Sequence, residues 1–114
     1  MLKGLNKYSL IMLSVVSFSA LAEGKWYENG NLHNADISSW KSASHSNKLA
    51  TAADWVFISP AIKEKIKSSG SMNTAKPFAQ ELVKCVSGAT DGVNYNGAVT
   101  EVAASCMVLM GWLK

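Results

Sequence analysis

The sequence predicts an all-α protein, a small bundle of four to five short helices. Its last two helices form a disulfide-linked antiparallel hairpin. Three observations carry this reading. Apolar residues recur at helical spacing from residue 36 onward. Turn-forming residues fall at short intervals between those stretches. The two cysteines, Cys85 and Cys106, each lie on the apolar stripe of a predicted helix.

The first element is not part of the bundle. Residues 1 to 22 read MLKGLNKYSLIMLSVVSFSALA. Lys3 and Lys7 form a short positive region, an apolar run broken only by serines follows, and Ala20-Leu21-Ala22 is a small-x-small site. This is the three-part pattern of a secretory signal peptide, with cleavage expected between Ala22 and Glu23. The apolar run is shorter than the roughly 20 residues a spanning helix needs. A cleaved leader is therefore expected rather than a membrane anchor, with no stable membrane insertion afterwards.

Cleavage changes the charge. Two of the 11 lysines leave with the leader and all 8 acidic residues stay, so the formal charge falls from +3 to +1. The chain contains no arginine, which removes planar two-pronged recognition of phosphate or carboxylate. A nearly neutral, arginine-free chain has no electrostatic footprint for nucleic acid.

Residues 23 to 35, EGKWYENGNLHNA, are expected to form an irregular arm or a small hairpin, with Asn29-Gly30 as the turn. From residue 36 to 114 a single helical domain is expected. Asp36 is a fair N-cap for the helix that follows. Leu49, Ala53, Val56 and Phe57 form one stripe, and Ile37, Trp40 and Ser44 a weaker one. The stretch 36 to 57 is either one helix or two, with a break near His45-Ser46-Asn47. Ser59-Pro60 caps and opens the next helix, which buries Ile62 and Ile66. The linker SSGSMNT then offers Asn73 or Thr74 as cap for the first cysteine helix.

That helix, residues 77 to 89, carries Phe78, Leu82, Cys85, Val86 and Ala89 on one stripe. Residues 98 to 113 carry Val99, Val102, Ala103, Cys106, Leu109 or Met110, and Leu113 on another. TDGVNYNG connects them, and so short a link makes the two helices antiparallel neighbours. Both cysteines then lie at similar heights, within about one turn or ~5 Å. A zinc site would need about four ligands, and His33 and His45 are the only other soft candidates. No C-x-x-C redox motif is present. In an oxidising compartment a structural Cys85–Cys106 bond is the remaining role.

No catalytic residue, cofactor or metal is expected. His45 lies between Ser44 and Ser46, but no G-x-S-x-G elbow accompanies it. His33 sits in a polar loop. The carboxylates are scattered one per element, in positions that suit caps and solvated faces. Lys63, Lys65 and Lys67 read as a solvated helix face, or as a contact for anionic lipid or an acidic partner. Trp40, Trp55 and Trp112 fall on core stripes. Trp26, Tyr27 and Tyr95 lie outside the helices. Aromatics there either anchor a partner or fold back over a small core.

The expectation is a non-enzymatic bacterial protein, periplasmic or else secreted, that binds a protein partner. An immunity protein or inhibitor, a stress chaperone, and an accessory part of a secretion or conjugation apparatus all fit. In size, helical class and single disulfide the chain is similar to the small helical acid-stress chaperones of the periplasm, with no motif or residue carried over. A small periplasmic hydrolase is the rival.

Overall fold

The computed structural model describes residues 25–113, and these contain five α-helices and no strand. The expected leader and its Ala22/Glu23 cleavage site lie outside the described residues. In chain order the helices are α1 (Ile37–Ser42), α2 (His45–Val56), α3 (Pro60–Ser69), α4 (Lys76–Thr90) and α5 (Val99–Leu109). A short 3-10 turn, Met72–Ala75, leads into α4.

Local chemistry sets most boundaries. Asp36 caps α1, its carboxylate accepting from the Ser39 amide at 2.8 Å. The chain breaks at Ala43-Ser44, so residues 36 to 57 form two helices. Ser44 does not extend the Ile37/Trp40 stripe as the spacing had implied. Its hydroxyl accepts from the Asn47 amide and caps α2, which starts at His45. A serine satisfies an otherwise orphaned amide better there than it would fill a core position. Ser59 caps α3 with Pro60 at the first position, and Gly70 ends that helix with a φ of 72°.

The start of α4 departs from expectation. Neither Asn73 nor Thr74 caps it, because the 3-10 turn already fills that space. Ala75 stands at the cap position without a side-chain bond, while Ser71 caps the 3-10 turn through the Asn73 amide. The end of α5 also differs. The helix stops at Leu109 instead of continuing to residue 113. Gly111, with a φ of 78°, turns the chain back. The Trp112 amide then donates to the Met107 carbonyl at 2.9 Å, and the Gly111 amide to the Val108 carbonyl at 3.0 Å. This bond pair closes a helix through a left-handed glycine.

The core forms between α2, α4 and α5. Trp40 is fully buried and stacks on Trp55, ring centres 5.8 Å apart; its indole N–H donates to the Ser87 hydroxyl at 3.3 Å. Ala50, Ala52 and Ala53 of α2 are buried, as are Leu82, Val83 and Val86 of α4. Small alanines let helix axes approach closely. α4 and α5 pack on one another and are cross-linked by Cys85–Cys106, with Cα atoms 6.1 Å apart. The buried faces depart from the predicted stripes: Ala89 is exposed and Leu109 is 82% exposed, while Ala79 and Met107 are buried.

The N-terminal arm has no strand and is not a hairpin. It lies along α2 instead. Asn31 and Asn47 exchange two hydrogen bonds, at 3.0 and 2.8 Å. The Leu32 amide donates to the Thr51 hydroxyl at 3.2 Å. Asn29 takes a left-handed φ of 71°. Gly30 then passes so near the main chain of Ala50 and Thr51 that no Cβ fits. The Asn-Gly pair therefore seats the arm on the helix rather than pairing two strands.

Candidate functional site

Tyr95 lies on the eight-residue connection 91–98 between the cross-linked helices. It is 65% exposed, among the most exposed large side chains described. The connection is held at its far end. The Ile37 amide donates to the Gly97 carbonyl and the Val99 amide to the Ala35 carbonyl, both at 3.0 Å, giving an isolated antiparallel bridge at Asp36 and Ala98. Asn96 adds two side-chain bonds. Its amide N–H donates to Asp36 Oδ2 at 3.2 Å, and its Oδ1 accepts from the Ser38 amide at 2.8 Å.

Asp36 thus serves two structures at once. The Ser39 amide on its carboxylate, helped by the Ser39 hydroxyl and the Asn96 amide, holds that carboxyl below its ordinary value of 3.8, against a small opposing effect of burial. The Tyr95 ring folds back over Gly97, where it occupies the space a Cβ would take. Between this loop and α1 lies an open depression of about 510 Å³, lined by Ile37, Ser38, Lys41 and the loop residues 93–96. Lys41 forms no ion pair among the described residues.

The other two aromatic candidates lie elsewhere. The Trp26 indole N–H donates to Asn73 Oδ1 at 2.9 Å, and Lys76 Nζ stands 5.8 Å above its ring. Tyr27 meets Trp26 edge-on at 5.4 Å and Phe57 at 6.3 Å. Trp26 packs on the core, half-buried. Asn73 and Lys76, the Trp26 partners, are at the N-terminal end of α4, whereas the Tyr95 loop leaves its C-terminal end. The 15 residues of α4 separate the two places by ~22 Å. The three candidates do not form one site.

The histidines part company as well. His33 Nε2 and Asp54 Oδ2 are 2.7 Å apart, and the His33 ring meets Trp55 edge-on. His33 therefore ties the arm to α2, a contact across 21 residues that periodicity does not reveal. His45 is exposed at the first position of α2, on a different turn from that pair. Among the described residues no three His, Cys, Asp or Glu side chains gather as metal ligands would, and no helix is long and apolar enough to cross a membrane.

Ser59, missed as a tertiary contact, is fully buried. Its hydroxyl accepts from the Ile62 amide and donates to the Trp112 carbonyl at 2.8 Å. Trp112 then meets Phe78 edge-on at 5.5 Å. Comparison with protein-family models, with curated proteins and with solved structures found no match.

Proposed function

We propose that the chain is an exported periplasmic protein that binds a macromolecular partner through Tyr95 and carries out no chemistry of its own. In this reading residues 1–22 are removed as a signal peptide, and α4 and α5 form an antiparallel hairpin that presents the loop between them. A single observation carries the proposal: an exposed aromatic sits on a loop tied down by the Asp36–Asn96 contacts and the Asp36–Ala98 bridge. An aromatic ring held in place loses little freedom on binding, which is why such residues dominate interface energetics. An immunity or inhibitor role, a stress chaperone and an envelope accessory role, for example in a secretion or conjugation apparatus, all use such a surface. The disulfide and the absence of a membrane-length helix among the described residues are compatible with export.

The test is capture from periplasmic extract with the mature protein as bait. A stoichiometric protein partner retained by the wild type and lost with Tyr95→Ala, at unchanged melting temperature, supports the reading. Retention equal in both, or turnover of peptidoglycan or peptide substrates abolished by His45→Ala, overturns it in favour of the hydrolase reading or another surface.

A further inference from the structure

Charge is unevenly spread over the described residues. Of the described lysines, Lys63, Lys65 and Lys67 lie on α3, and Lys25 and Lys76 adjoin Trp26. α3 packs on the 3-10 turn that runs into Lys76, so the segments that carry these cations adjoin. Glu28 and Glu64 are the acids on the same segments, leaving a local excess of three positive charges. Elsewhere Lys41, Lys48 and Lys84 are outnumbered by Asp36, Asp54, Glu81, Asp91 and Glu101.

On α3 the buried Ile62 and half-buried Ile66 face inward. At 100° per residue, Lys63 and Lys67 lie on one flank of the outward face and Lys65 on the other, with Glu64 between them. Lys65 Nζ stands 6.0 Å from the Phe78 ring. Ile58, just before α3, is 57% exposed. Lys65 borders an open depression of about 840 Å³ with Glu64, Thr74 and Phe78, and Lys63 and Lys67 lie outside it.

We propose that this α3 end docks on the surface of an anionic phospholipid bilayer without inserting into it. Lysines act as point charges and suit a diffuse negative surface. A specific acidic protein is more often gripped by arginine forks, and the chain has no arginine. Trp26 itself packs on the core with its N–H bonded to Asn73, and Lys76 adjoins its ring. Each lysine near such a surface strengthens binding several-fold, and the effect falls off within a Debye length. This inference concerns the opposite end of α4 from Tyr95 and does not depend on the Tyr95 reading.

The test is co-sedimentation of the mature protein with phosphatidylglycerol-containing vesicles and with pure phosphatidylcholine vesicles. Binding to the first only, abolished by high salt, is expected. Replacing Lys63, Lys65 and Lys67 together by Gln should weaken it ~100-fold. Replacing Lys41, Lys48 and Lys84 by Gln removes the same charge from outside the patch and should leave most binding intact. All six positions are exposed or half-exposed, and unchanged melting confirms folded variants. Equal losses in the two triple variants, equal binding to both vesicle types, or tighter binding to polyglutamate than to vesicles overturns the proposal.

Discussion

Removal of the Cys85–Cys106 bond is the perturbation whose size follows most directly from the structure. The cysteines are separated by 21 positions, so the bond closes a loop of 22 residues. In the chain-entropy treatment, a loop of that length stabilises the fold by about 3 kcal/mol. A domain of this size commonly has about 5–10 kcal/mol in total. The bond joins α4 to α5, and through α5 it also fixes Val99, Ala103 and Met107 in the core. For a domain of 60–100 residues, a loss of about 3 kcal/mol lowers the melting temperature by about 12–24 °C. The assay is thermal unfolding followed by circular dichroism, on the oxidised wild type, the same protein in reductant, and the Cys85→Ala/Cys106→Ala variant. Reduction isolates the covalent link, because both sulfur atoms remain in place. The double variant adds the loss of packing around Cys106, which is buried. The reduced protein should therefore melt far below the oxidised one, with the double variant at or below it. Coincident melting with and without reductant would refute the reasoning.

Further outcomes are expected from single substitutions. Gly30→Ala forces a Cβ against the main chain of Ala50 and Thr51 and should cost about 1–3 kcal/mol, whereas at Gly97 the nearest obstacle is the Tyr95 side chain, so Gly97→Ala should leave melting nearly unchanged while weakening partner capture. Trp40→Ala removes a fully buried ring and its stack on Trp55; equilibrium unfolding in urea should show a loss of about 3–5 kcal/mol. Ser59→Ala loses the α3 cap and leaves the Trp112 carbonyl without its donor, a loss of about 1–2 kcal/mol in the same measurement. Asp36→Ala should melt lower than wild type at pH 7. Because the folded Asp36 carboxyl titrates below its ordinary 3.8, its contribution is complete above that pH and disappears as acid protonates the folded group. The gap between the two melting curves should therefore narrow as the pH falls below 3.8.

What the sequence disclosed was mostly local or periodic. Asp36, Ser59 and Pro60 act within one helical turn, so their roles are visible without a fold. The disulfide was legible because turn residues and the two stripes placed both cysteines at comparable heights. Stripes failed at their edges. Leu109 falls where a core residue would sit on a longer helix, yet Gly111 ends α5 and leaves Leu109 outside. Asn73 has the chemistry of a cap, but the Trp26 indole uses its side chain from 47 residues away. His33–Asp54 and Ser59–Trp112 are likewise contacts between distant segments, and no spacing rule encodes them. Tyr95 was visible as a loop aromatic. The contacts that fix its loop, from Asn96 to a helix cap 60 residues earlier, were not.

The proposed role in recognition presumes export, and the intact mass of the protein isolated from cell envelopes measures export directly. The account predicts a chain that begins at Glu23 and is two hydrogens lighter than its dithiol form. A chain that retains Met1 and carries two titratable thiols would contradict it.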